Sequence, residues 1–233
     1  MKEVGSESMN PILRRILQLL VLIAVQVALL FLSAGTFCWP AAWWYLGLYV
    51  GMLAIASFIM IPRRPEVIAE RGKGTEGGKP WDLWITRLLA IPSLGLLILA
   101  GFDKRWNWTA PLPAWVFLLG VVAFALGYGI VLWAMYTNQF FSQVVRIQSE
   151  RGHTAVSDGP YRFVRHPGYC GMLLSFLGAV LLLGSIYGTV CYLLYVILMV
   201  TRTALEDRTL QVELPGYAEY ATRTKYRLLP GVW

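Results

Sequence analysis

Four predominantly apolar runs of roughly 20 residues set the first limit on how this chain folds, because a helix of that length crosses the hydrocarbon core of a bilayer. They extend from Ile12 to Leu32, Ala42 to Ile61, Ile85 to Phe102 and Trp115 to Tyr136. Inside lipid, every backbone polar group must be satisfied within the segment, so these runs predict transmembrane helices. A fifth run, Tyr169 to Thr201, is too long for one pass: as a single helix it would measure about 50 Å against a core of about 30 Å. Near its middle lie Gly184, Ser185, Ile186, Tyr187 and Gly188, a turn signal that predicts a helical hairpin of two short passes. One long helix projecting into water is the alternative. The expected fold class is all-α, a polytopic bundle of about six passes closed by that hairpin and followed by a cytoplasmic C-terminal segment.

Composition agrees: 57% of residues are hydrophobic and only 14% are charged. The formal net charge of +7 is better explained by topology than by nucleic acid. Lys2, Arg14 and Arg15 stand toward the N-terminus. Arg63, Arg64, Arg71, Lys73 and Lys79 follow the second run, Arg146, Arg151, Arg162 and Arg165 follow the fourth, and Arg202, Arg208, Arg223, Lys225 and Arg227 close the chain. Six passes put all four groups on one side, with only Lys104 and Arg105 on the other. The positive-inside rule then places both termini in the cytoplasm, with the inner membrane as the expected location. Trp39, Trp43, Trp44, Trp81, Trp84, Trp106, Trp108 and Trp115 stand near the ends of runs, as an interfacial belt does, not as a base-stacking platform. Cys38, Cys170 and Cys191 are scattered and odd in number, which suggests no disulfide framework. The glycine-rich stretch from Gly72 to Gly78 lacks the ending of a phosphate-binding loop. No histidine–carboxylate group has metal-ligand spacing, and no obligate protein partner is evident.

Chemistry concentrates in two places. Ser157 to Gly171 joins a polar stretch to the hairpin and contains His166; the chain's other histidine, His153, lies just upstream. Asp158, Gly159, Pro160 and Tyr161 form a turn signal, and Pro167 suits the first turn of a helix. Arg165 and His166 then stand at a helix N-terminus, where free N–H groups, a guanidinium and an imidazole favour a carboxylate or phosphate. Snorkelling to lipid headgroups is the plainer explanation. At the end of the hairpin come Glu206 and Asp207, read as following the last span, where carboxylates oppose the helix dipole and need a partner. Either they pair with Arg202 or Arg208, or they hold a cation or an ammonium-bearing ligand. The hairpin would bring them to the face that carries Arg165 and His166.

These residues reach a known family. The run from His153 through Gly159, Tyr161, Arg165, His166, Pro167 and Tyr169 to Gly171 resembles the signature of the isoprenylcysteine carboxyl methyltransferase and phospholipid methyltransferase superfamily. Arg202, Glu206, Asp207, Leu210, Leu214, Gly216, Tyr217, Tyr220, Arg223 and Tyr226 resemble its C-terminal pattern. The likeness covers about Gln148 to Pro230. It implies an integral-membrane enzyme that uses S-adenosylmethionine without a dinucleotide-type domain and takes a lipophilic acceptor from the bilayer. By resemblance, Gln148, His153, Gly159, Tyr161, His166, Pro167, Tyr169, Glu206 and Asp207 fall on cofactor-binding positions, and Arg165 and Glu206 on positions linked to activity. The chain divides accordingly into N-terminal helices, 1–140, and a catalytic region, 141–233. Glu206-Asp207 stands where the family usually has two glutamates, and the tail Glu213-Leu214-Pro215-Gly216-Tyr217 departs from the eukaryotic pattern, which weakens any transfer of prenylcysteine specificity. An NADPH-dependent reductase resembling the sterol reductases is the rival enzyme reading. A small transporter is the non-enzymatic one, disfavoured because the span interiors are almost free of charge.

Overall fold

The computed structural model describes residues 10–233, and Lys2 lies outside that range. Among these residues eight α-helices follow one another: α1 (Pro11–Ala34), α2 (Pro40–Arg63), α3 (Pro65–Gly72), α4 (Pro80–Trp106), α5 (Ala114–Thr137), α6 (Pro167–Leu183), α7 (Gly188–Glu213) and α8 (Tyr217–Arg223). Among the described residues there is no strand. α1, α2, α4, α5 and α7 are long and apolar enough to cross a membrane; α6 is apolar but has only 17 residues. Large side chains such as Phe58, Leu20 and Leu126 point outward unpaired, as a lipid-facing surface requires. Proline opens five of the helices, α1, α2, α3, α4 and α6, at the position where a missing N–H has no consequence.

Two elements differ from the sequence expectation. The basic stretch after the second run is not all loop. Pro65 starts α3, whose Val67 is fully buried against Met60 and Met135, so apolar contact overrides a polar composition. α7 does not stop at Thr201 but continues to Glu213. Glu206 and Asp207 therefore sit inside a helix rather than after one, and the dipole objection to them does not arise.

The hairpin forms at the expected turn. Gly184 adopts φ +68°, a left-handed conformation that ends α6. Buried Asp103 fixes this turn to the end of α4. It accepts the Ser185 hydroxyl at 2.5 Å, the Thr109 hydroxyl at 2.6 Å and the Thr109 N–H at 2.7 Å.

α6 is locked to α5 by backbone approach. A Cβ on Gly127 would lie 2.4 Å from the Ser175 nitrogen, and one on Gly178 would lie 2.4 Å from the Phe124 nitrogen. Gly120 and Gly171 complete the antiparallel seam. Small residues replace hydrophobic driving force between membrane helices, since lipid is as apolar as leucine. This seam fixes where the start of α6, and with it His166, stands at the opposite end of the bundle from the turn.

Candidate active site

At that end, three segments fold over the mouths of α4, α6 and α7. The stretch from Asn138 to His166 is irregular apart from two short 3₁₀ turns. It is tied down at Val145, whose N–H donates to Asp82 at 2.7 Å and whose carbonyl accepts the Lys79 N–H at 2.9 Å. The C-terminal tail pairs with the entry to α6: the N–H groups of Arg165 and His166 donate to the carbonyls of Tyr226 and Arg227 at 2.9 and 3.0 Å. α8 packs beneath, with Tyr217 and Tyr220 buried beside Tyr161 and Leu214.

A cleft enclosing about 100 Å³ and open to solution lies between these segments. His153, Tyr161, Arg165, His166, Tyr169 and Glu206 all line it, brought from the two separated sequence motifs to one place. The Tyr169 hydroxyl donates to the Glu206 carboxylate. The rings of His166 and Tyr169 stack at 5.6 Å, and the Arg202 guanidinium lies 5.2 Å from the Tyr169 ring centre. One wall is aromatic, with His153 against Phe140 at 4.4 Å.

Glu206 and Asp207 have different surroundings, because successive helical residues point about 100° apart. Glu206 faces the cleft, where among the described residues its carboxylate accepts only from Tyr169. Asp207 is fully buried on the other side. The Arg165 guanidinium approaches it with two nitrogens, Nε at 2.7 Å from Oδ1 and Nη2 at 3.0 Å from Oδ2. Arg227 Nε at 2.9 Å, the Tyr217 hydroxyl at 3.0 Å and Gln211 at 2.8 Å also bond to it. Arg165 spends its remaining donors on carbonyls of Ala221, Thr224 and Lys225. The alternative of pairing with Arg202 or Arg208 does not occur among the described residues. Arg202 instead bonds Asp82 at 2.7 Å, 120 residues away, and donates to the Gln143 carbonyl at 2.8 Å.

The other sequence candidates lie off the cleft. Gln148 is fully buried, donating to the Phe140 carbonyl at 2.7 Å and accepting from Arg151 at 2.5 Å, so it braces the loop. Gly159 turns at φ +54° against Thr137 and Trp133, and Pro167 is packed inside the first turn of α6. Sequence reasoning did not assign Arg202, Phe140 or the Thr154–Val156 backbone to the site. Only Arg202 had a signal, as part of the C-terminal pattern.

Outside the spans, the electrostatics follow burial. His153 is pushed down to about 4 by burial first, then by Arg146 and Arg151. Its Nδ1 accepts the Gln148 N–H at 3.2 Å, so the ring is neutral with the proton on Nε2. Burial raises the Tyr161 phenol, keeping it an un-ionised hydroxyl.

A family model described as phospholipid methyltransferase matches residues 115–213. Protein-S-isoprenylcysteine O-methyltransferase of Schizosaccharomyces pombe is 39% identical over 55 residues, 24% of this chain and 23% of that one. Over that region the chain is similar to the superfamily of membrane methyltransferases that includes both. Protein-S-isoprenylcysteine O-methyltransferase A of Arabidopsis thaliana is 29% identical over 89 residues, 38% of this chain and 41% of that one. The cobalt-zinc-cadmium resistance protein CzcN of Cupriavidus metallidurans is 34% identical over 150 residues, 62% of this chain and 59% of that one. In each case the chain spans less than two thirds of the relative's own length. The superfamily match begins at α5, so its glycine seam, hairpin and cleft-facing carboxylate all fall within the matched region.

Proposed function

We propose that the protein transfers a methyl group from S-adenosylmethionine to a lipophilic or amphipathic acceptor at the cleft. One observation carries this reading: Glu206 presents a carboxylate with a single protein partner into a cleft that also contains His166 and Tyr169. The donor set suits the molecule. Glu206 would take its ammonium or ribose hydroxyls, and the Phe140–His153 wall would flank a flat base. Among the described residues, the N–H groups of Thr154, Ala155 and Val156 make no protein hydrogen bond, which leaves donors along the cleft for the polar edges of a ligand.

When bound, S-adenosylmethionine supplies an electrophilic methyl group on a sulfonium. The protein's own part is alignment and exclusion of water. Arg165 and Asp207 join the entry of α6 to α7 and to the tail, and so set the separation of the cleft walls. Arg202, neutralised by Asp82, holds Tyr169 in place from the opposite side. A carboxylate or thiolate acceptor needs no base; a protonated amine would have to lose a proton, which Glu206 could take through the Tyr169 hydroxyl.

The division into residues 1–140 and 141–233 has a functional counterpart in this reading: the first part faces the acceptor and the second the donor. The basic segments gathered around the cleft support a cytoplasmic orientation for it, in an inner membrane. Calorimetry on the purified protein tests the reading. S-adenosylhomocysteine should bind and NADPH should not; stabilisation by NADPH alone would establish the reductase instead. Radiolabelled methyl transfer into a total lipid extract would then identify the acceptor.

A further inference from the structure

A second, larger cavity of about 380 Å³ lies among α1 to α7. Its walls are mostly apolar, including Leu19, Met52, Leu97 and Phe176. At the end nearest the cleft stand two guanidiniums, Arg15 from α1 and Arg71 from α3. Every other guanidinium buried near the site end is matched by a carboxylate: Arg165 by Asp207, Arg202 by Asp82 and Arg146 by Glu70. Among the described residues, Arg15 and Arg71 have none. Arg71 Nη1 is sealed from solvent and has no hydrogen-bond partner there. A buried, unpartnered donor on a cation is costly, and an anion would satisfy it.

Arg71 also marks a junction. Its guanidinium lies 5.4 Å from the Phe141 ring centre, and Phe141 lines the cleft. Gln143, from the same loop, donates to the Arg71 carbonyl at 2.5 Å. Burial first, and then the neighbouring charges of Arg15 and Arg202, disfavour the charged form of Arg71, the strain a bound anion relieves.

We propose that this cavity binds a single-chain amphiphile with an anionic head, carboxylate or phosphate, held by Arg71 and Arg15 with its tail along the apolar walls. That this amphiphile is the methyl acceptor rests on the reading above; that the cavity binds it does not. An anionic head at Arg71 would sit beside the cleft wall, and an anionic oxygen accepts a methyl group without releasing a proton. The site thus selects against amine acceptors, whose charge two guanidiniums repel.

The test uses the full chain in nanodiscs of neutral phosphatidylcholine, with tritiated palmitate as probe and empty nanodiscs as background. Saturable binding is expected, displaced by hexadecyl phosphate but not by hexadecanol or hexadecyltrimethylammonium. Direct binding of radiolabelled hexadecyl phosphate to the same nanodiscs is measured alongside; should it bind while palmitate does not, the head is a phosphate and the site stands. Arg71→Gln should weaken binding tenfold or more, whereas Arg14→Gln, at an exposed pair with Glu76, should leave it unchanged. The competition series on the unaltered protein stands even if Arg71→Gln misfolds. Equal displacement by hexadecanol, or an unchanged affinity in well-folded Arg71→Gln, overturns the proposal. S-adenosylhomocysteine binding, measured in parallel, separates the two ideas: retained without a palmitate or phosphate site, it sinks this inference alone; absent beside an intact anion site, it sinks the methyl-transfer reading alone.

Discussion

Arg165 and Asp207, 42 residues apart in the chain, form a two-point buried pair, with Nε 2.7 Å from Oδ1 and Nη2 3.0 Å from Oδ2. The pair joins the loop entering α6 to α7 and, through Arg227 and three carbonyls, to the tail. Its weight is architectural. Breaking a buried pair by removing one charge costs about 3–5 kcal/mol, because the other charge is left uncompensated. Asp207→Asn should therefore lower the thermal midpoint markedly and loosen the tail to proteolysis. A midpoint equal to the parent's would remove the pair from the account.

Glu206→Gln should behave oppositely to its neighbour. Its carboxylate makes no ion pair among the described residues and faces the cleft, so the fold should survive while S-adenosylhomocysteine affinity drops at least tenfold by calorimetry. His166→Ala should show the same split between stability and affinity. If both variants bind like the parent, the cleft has been assigned to the wrong ligand.

Acid should weaken the loop through His153. Its ordinary value is 6.5 and its folded value about 4, so between those limits the unfolded chain binds the proton first. The contribution is complete above pH 6.5 and is lost as pH falls toward 4. Denaturant midpoints at several pH values in this window should fall for the parent relative to His153→Gln. Parallel curves for the two proteins would contradict the shift.

Gly127→Ala should destabilise the bundle, since its Cβ would meet the backbone of Ser175 at 2.4 Å and backbone cannot swing aside. Overpacking of this kind costs about 1–3 kcal/mol. Gly129→Ala, with nothing within 4 Å, should be neutral or slightly stabilising. Thermal melts of the two variants give the comparison.

Topology is testable by cysteine labelling in a background without Cys38. Exposed Ile186→Cys, at the hairpin turn, should react with an impermeant reagent from the side opposite Lys225→Cys in the tail. Reaction of both from one side would rule out a membrane-spanning hairpin.

Hydropathy and punctuation, both properties of adjacent residues, made the apolar helices, the Gly184 turn and the Pro167 start legible without coordinates. The residues of two distant motifs also named part of the cleft lining: His153, Tyr161, Arg165, His166, Tyr169 and Glu206. What the chain's order could not indicate was pairing. Whether Asp207 meets Arg202, five residues away, or Arg165 across the hairpin depends on how far α7 continues and on where the Gly127–Ser175 contact sets α6. The same holds for Asp82 with Arg202, and for Arg71, whose lack of a carboxylate among the described residues emerges only once Arg165, Arg202 and Arg146 have found theirs. Solvation and local propensity act on neighbouring residues and are written in the sequence. The matching of buried charges acts across the bundle, and only the packed tertiary structure decides it.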